Sequence, residues 1–204
     1  RNLLLRRELL YPVELREQML IQDAFELFLK ESLISRKSQA TLTNYRQSVN
    51  SFLNYIKGSI PQQDIDLLTT LTLDSYFLNG IQARNWSKYT QWTYYKNLNA
   101  FLNWCLKKEI ISKNPLKLIP KPRLPHPYPK SLSEQEAREL LQGINTIPWK
   151  YEYTRIRNKA IIMTLLYTGI RKSELMNLNF NDIDIQSGFI YVQNGKGDKS
   201  REVP

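Results

Sequence analysis

Apolar residues recur at helical spacing through most of this chain. Over residues 38–57, Leu42, Tyr45, Val49, Phe52, Leu53 and Ile56 follow the 3.6-residue period, while Thr43, Arg46, Gln47, Asn50 and Asn54 fall opposite. Gly58 and Pro61 end that helix. A second long helix is predicted over residues 87–108, capped by Ser87. Its core stripe is Tyr95, Leu98, Phe101, Leu102, Cys105 and Leu106, leaving Lys88, Thr90, Gln91, Tyr94 and Asn97 for the other side. Shorter helices are predicted from Asp23 to Lys30 and, capped by Thr72 or Asp74, through Leu78. Further on, Ser133 followed three residues later by Glu136 is a capping box. Ile161, Ile162, Leu165 and Leu166 then predict a buried helix, which Gly169 stops in the left-handed conformation that glycine adopts at little cost.

Beyond Gly169 the pattern changes. Arg171 follows at once, on a short constrained corner, and Ser173 to Leu178 predicts a brief helix with Leu175 and Leu178 inward. Glu174 stands three residues after Arg171, a spacing at which side chains share a helix face and a carboxylate can aim a guanidinium. Two β-rich runs, 189–193 and 200–203, flank Asn194-Gly-Lys-Gly-Asp, a hairpin signal that puts Lys196 at the tip between two glycines. A fixed Arg and a hairpin Lys suit a phosphate: the first offers a bidentate fork, the second a compact charge that also donates a proton. Either residue alone is an ordinary surface cation; the pair in this setting is the candidate.

Charge sharpens that picture. The chain carries 29 Lys+Arg against 19 Asp+Glu, a net charge of +10, which favours an anionic partner, nucleic acid before an acidic membrane surface. Residues 113–130 hold five basic residues, six prolines and no acid, and read as an extended, basic connector between two domains. The prolines argue against a helix there. The two long helices carry no acid at all. A solvated face normally mixes signs, so their polar sides point to phosphates and base edges, with Asn and Gln suited to adenine and Arg to guanine. Residues 1–22 mix leucines with arginines and predict either an amphipathic arm or a helix packed on its own domain; Glu8, Glu14 and Glu17 weaken a membrane-surface reading. One cysteine and one histidine, Cys105 and His126, exclude an internal disulfide and a Cys/His zinc site, and Cys105 reads as a buried structural thiol. No run is long enough to span a membrane.

The string Thr168-Gly-Ile-Arg-Lys-Ser-Glu-Leu, a strand, and Gly195-Lys-Gly-Asp-Lys-Ser-Arg-Glu-Val-Pro together resemble the first part of a tyrosine recombinase catalytic domain, closest to the Xer branch. Ile111-Ser-Lys-Asn-Pro-Leu and Lys130-Ser-Leu-Ser-Glu-Gln-Glu resemble the end of that family's core-binding domain and the start of its next domain. The resemblance spans roughly residues 20–204.

It implies a mainly α protein: an all-helical, SAM-like core-binding domain, then the first part of an α+β catalytic domain with a small antiparallel sheet. The implied boundaries are an arm at 1–22, a helical DNA-binding domain at 23–119, a basic Pro-rich linker at 120–130 and a partial catalytic domain at 131–204. Arg171 would contact the scissile phosphate, Glu174 would support it, and Lys196 would protonate the leaving 5′-oxygen, with Lys199 its neighbour. Lys37, Thr43, Arg46, Gln47, Lys88, Gln91, Lys96, Lys121, Arg123 and Lys199 would contact DNA. The family also uses a His-x-x-Arg pair, a further His or Trp and a nucleophilic Tyr beyond the hairpin. The stretch from Arg1 to Pro204 holds none of these after Lys196, so the expectation is that both ends are cuts and that this stretch alone is inactive.

Further expectations are double-stranded DNA as partner, a homotetramer on two sites, a DNA translocase as possible regulator, no metal or other cofactor, no membrane, and a cytoplasmic, nucleoid-associated location. The implied function is chromosome dimer resolution at a dif-like site through a 3′-phosphotyrosyl link. The alternatives are a phage or mobile-element integrase of the same family and a non-catalytic DNA-binding module.

Overall fold

The computed structural model describes residues 19–60, 64–125, 131–195 and 199–204, without the side chains of 194, 195 and 199. The chain divides into two compact units, Arg1–His126 and Pro127–Pro204. The expected arm at 1–22 falls almost wholly outside the described residues, as do Pro61, His126, Lys130 and Lys196.

Among its described residues, unit one has four α-helices: α1 (Ile21–Ile34), α2 (Gln39–Ile56), α3 (Thr70–Gln82) and α4 (Lys88–Lys107). Helix α4 begins at its predicted cap, Ser87, and α2 is capped in the same way by Ser38, the first residue of its predicted range. The Ser38 and Ser87 hydroxyls accept from the backbone N–H of Thr41 and Thr90 at 3.2 and 3.1 Å. Two predicted boundaries are corrected. Helix α1 runs on to Ile34, and α3 starts from Thr69, whose hydroxyl accepts from Thr72 N–H, rather than from Thr72 or Asp74.

The stripes meet in one core rich in rings. Phe25 and Phe101 pack edge to face at 5.5 Å, as do Phe52 and Tyr76 at 5.1 Å. Tyr76 also meets Trp86 at 5.1 Å, and Cys105 is fully buried. Gly80 lets the Trp86 ring lie against α3, since a β-carbon there would fall 2.1 Å from the ring.

The proline-rich stretch also corrects expectation. Pro115–Leu118 is a 3-10 turn, with proline at its start where a missing N–H costs nothing. Pro115 and Leu116 are buried, and Ile111, Leu116 and Ile119 complete the first core. The Tyr95 hydroxyl donates to the Ile119 carbonyl at 3.3 Å, and Lys121 Nζ sits 4.4 Å over the Trp92 ring.

Unit two holds α5 (Glu134–Thr146), α6 (Glu152–Thr168), the short α7 (Lys172–Met176) and an antiparallel sheet. The sheet runs in order β1 (Ile183–Asp184), β2 (Phe189–Gly195), β3 (Lys199–Val203). The capping box at Ser133 forms as predicted, and Gly169 ends α6 at φ 62°. Strand β1 carries no signal in its two residues and exists because it pairs with β2 at Ile183–Ile190. Helix α6 is not buried. Ile161, Ile162, Leu165 and Leu166 are each half exposed, because among the described residues only α5 and α7 lie along it in any number. The buried apolar core of the corner and sheet is Ile170, Val192 and Val203, with Leu165, Leu175, Leu178 and Ile190 packed on it.

Candidate functional site

The corner at Arg171 is built from a glycine, a carboxylate and a strand. Gly169 turns the chain out of α6, and Ile170 sinks into the small core, so Arg171 emerges at the start of α7. Its backbone N–H donates to Glu174 Oε2 at 2.8 Å, and its side-chain Nη1 donates to Oε1 at 2.8 Å. The 171–174 pairing expected from spacing is therefore present.

Sequence reading missed the third member. Arg201, on β3 opposite Val192, donates Nη1 to Glu174 Oε1 at 3.0 Å and Nη2 to Oε2 at 2.7 Å. No local pattern links residues 27 apart; only the alternation along β3, which turns Val203 and Arg201 to one face, carried a hint.

The Glu174 side chain is only 5% exposed, whereas that of Arg171 is 56% exposed. The Arg201 fork, and after it the Arg171 backbone N–H, hold the Glu174 carboxyl far below the usual carboxylate range. Two permanent cations share one anion, so the cluster is net positive while its acid is sealed. Arg171 spends one side-chain N–H on Glu174, and more than half of its side chain is open to solvent. That suits an external phosphate.

A second buried acid braces the same region. The Asp182 carboxylate accepts from Asn179 N–H at 2.8 Å and from Gln193 Nε2 on β2 at 2.6 Å. Lys196 lies outside the described residues, and Lys199 belongs to β3.

In unit one, Lys37, Thr43, Arg46, Gln47, Lys88, Lys96, Lys121 and Arg123 are exposed. Gln91 is half-buried, and its Nε2 lies 3.4 Å from the Trp86 carbonyl. Asn97 does not belong to the polar face on which its position was read. It is 2% exposed and donates to the Asn44 carbonyl at 3.1 Å and to Ser48 Oγ at 2.8 Å, locking α4 to α2. Tyr94 is likewise half-buried, edge-on to Trp86 at 4.6 Å. The Asn97 lock has a consequence for the exposed residues. It sets Lys96 beside the junction, and Arg46 and Gln47 on the turn of α2 between Asn44 and Ser48. Among the described residues there is no group of three or more His, Cys, Asp or Glu able to hold a metal, and no helix is long and apolar enough to cross a membrane.

Two sequence families cover nearly all of the described chain. Residues 130–204 match the phage integrase family, and residues 22–122 match the phage integrase SAM-like domain. A tyrosine recombinase of Thermosipho africanus is 32% identical over 84% of this chain and 58% of its own length. The tyrosine recombinase XerA of Pyrococcus furiosus is 28% identical over 93% of this chain and 59% of its own. A solved lambda integrase tetramer on a Holliday junction superposes with a TM-score of 0.68 at 17% identity, over 99% of this chain and 58% of that one. The last likeness shows the fold. The chain belongs to the tyrosine recombinase, or phage integrase, family. It spans a little under 60% of the length of those curated relatives.

Proposed function

We propose that this chain is the DNA-gripping part and half of the catalytic pocket of a site-specific tyrosine recombinase of Xer type. The observation that carries the reading is the Arg171 guanidinium, held on the Gly169 corner by a buried carboxylate and exposed on its other side. Strand cleavage piles negative charge onto the non-bridging oxygens of a phosphate. A fixed, permanently charged fork stabilises that charge without reorganising when it appears. Glu174 supports Arg171. Lys196, which directly follows β2 in the sequence, is the general acid that protonates the leaving 5′-oxygen. The complete protein would supply a tyrosine nucleophile and store the bond energy in a 3′-phosphotyrosyl link, with no cofactor.

Unit one grips duplex DNA through Lys37, Thr43, Arg46, Gln47, Lys88, Gln91 and Lys96, and Lys121 and Arg123 follow the backbone. Lys199 adds charge beside the hairpin tip. Strand exchange would need four protomers on two sites; the lambda integrase structure is likewise a tetramer, bound to a Holliday junction. The names XerA and XerC among the curated relatives favour the Xer branch, and with that branch the proposal takes in a dif-like site, chromosome dimer resolution in the cytoplasm and a DNA translocase as regulator. An integrase of a phage or mobile element is the second reading, supported by the phage integrase descriptions of both matching domains.

A nicked suicide duplex tests the chemistry with the full-length gene product. The expected result is a protein–DNA band that survives denaturing gels, reduced about a hundredfold or more by Arg171→Ala. A protein that binds DNA with steep salt dependence and never forms the band would be a binding module. Running a chromosomal dimer-resolution site against a mobile element's attachment site separates the two recombinase readings.

A further inference from the structure

Glu174 has no acceptor capacity left. A carboxylate offers about four lone-pair sites. Here each oxygen takes one bond from Arg171, through Nη1 or the backbone N–H, and one from Arg201. The Arg201 bonds are the parallel, two-pronged kind that fixes both the distance and the plane of a carboxylate. The Arg171 side chain is left with a single bond to the group. Without Arg201, the open edge of Glu174 would be free to take a two-pronged grip from Arg171, whose Nη1 already donates to it. That grip would turn the Arg171 fork inward and cancel its charge.

We propose that Arg201 is a positioning residue of the phosphate site: by occupying the two-pronged edge of Glu174, it leaves the Arg171 fork free and aimed outward. This rests on the reading of Arg171 as the phosphate ligand. Arg201 itself need touch no substrate. It acts from β3, the strand that returns from the Lys196 hairpin, so the same bond ties the hairpin to the corner. Lysine cannot replace it fully, because an ammonium is a point charge without the planar fork.

The test is a double-mutant cycle in the full-length protein. Cleavage of the nicked duplex is measured for wild type, Arg201→Ala, Glu174→Gln and the double variant. Arg201→Ala should slow cleavage at saturating DNA about tenfold or more, as expected for a misplaced charge-stabilising donor, and leave the half-saturating DNA concentration unchanged. Arg201→Lys should recover part of the rate. In the Glu174→Gln background, Arg201→Ala should change the rate by less than about twofold, because the partner through which it acts is gone. An equal loss in both backgrounds would mean that Arg201 only holds the hairpin together, and would overturn the proposal.

Nitrogen-15 relaxation of the Arg171 side-chain Nε–H, in the free protein, gives an answer that needs no catalysis. The signal should be rigid in wild type and mobile or shifted in Arg201→Ala. If wild type traps no DNA, the recombinase reading fails while this signal still decides the role of Arg201. An Arg171 signal indifferent to Arg201→Ala overturns it. Should Arg201→Ala fail to fold, the Arg201→Lys variant carries both arms.

Discussion

At the scale of single residues, the buried polar groups make the sharpest commitments. Asn97 looks like a surface asparagine in a helical wheel, yet both of its amide bonds go inward to α2. Asn97→Ala should cost about 1–3 kcal/mol in urea unfolding, the penalty for leaving buried partners unmet, and leave DNA affinity unchanged once folded. Glu174 makes a prediction about acid. Its folded carboxyl titrates well below an ordinary Glu, which titrates at about 4.3. A lowered folded value means that the contribution is complete above the unfolded value and disappears as pH falls through the folded one. The stability gap between wild type and Glu174→Gln should therefore be flat above about pH 4.3 and close on further acidification. Carboxyl NMR should find Glu174 still ionised where ordinary glutamates are half protonated. Cys105 is fully buried, and burial pushes its thiol well above the ordinary range. Alkylation at mildly alkaline pH should proceed only as fast as the first unit opens.

Elements obey their caps more closely than their hydrophobic stripes. Ser87, Ser133 and Gly169 mark helix ends in the sequence, and each bounds a helix in the fold. Short-range chemistry decides these, so a single residue type at one position suffices. Ser87→Ala should lower stability by about 1 kcal/mol, seen as a lower thermal midpoint. The stripes were legible where a long helix buries one face, as in α2 and α4. They misled where burial depends on distant partners: α6 has a core-like run but lies half exposed, and Asn97 sits in a polar run but is sealed. Arg171 with Glu174 was legible because three residues separate them. Arg201 and β1 were not, because strand pairing brings them in from elsewhere. Gly80 is a silent case of the same kind. Nothing around it announces the Trp86 ring that needs the missing side chain. Gly80→Ala should destabilise by about 1–3 kcal/mol or more through overpacking, with the tryptophan fluorescence displaced as the ring is forced away.

Across the whole molecule, the two units differ in how much they bury. The first has a ring-rich core drawn from all four helices and the Pro115 turn, while the second has few buried apolar side chains among its described residues. Hydrogen exchange should be slowest in α2 and α4 and markedly faster in α6, whose backbone bonds have little cover. The net charge of +10 sets the other molecular property. DNA affinity should fall steeply with salt. On the proposed reading of Arg46 and Lys88 as phosphate contacts, Arg46→Ala or Lys88→Ala should each flatten the log–log slope by about 1, and Asn97→Ala should not.

The bond from Glu174 to Arg201 spans 27 residues, whereas the one to Arg171 spans three. The two therefore belong to different moments in folding. The short link forms with the first turn of α7, at almost no cost in loop entropy. The long one waits until β2 and β3 have zipped and the chain has closed a large loop. An early corner would carry its charge before it had an aim, and would acquire the aim only when the last strand arrived. Arg201→Ala should accordingly speed unfolding and leave the refolding rate almost untouched. The pocket would be the last thing this half of the chain finishes building and the first thing it gives up.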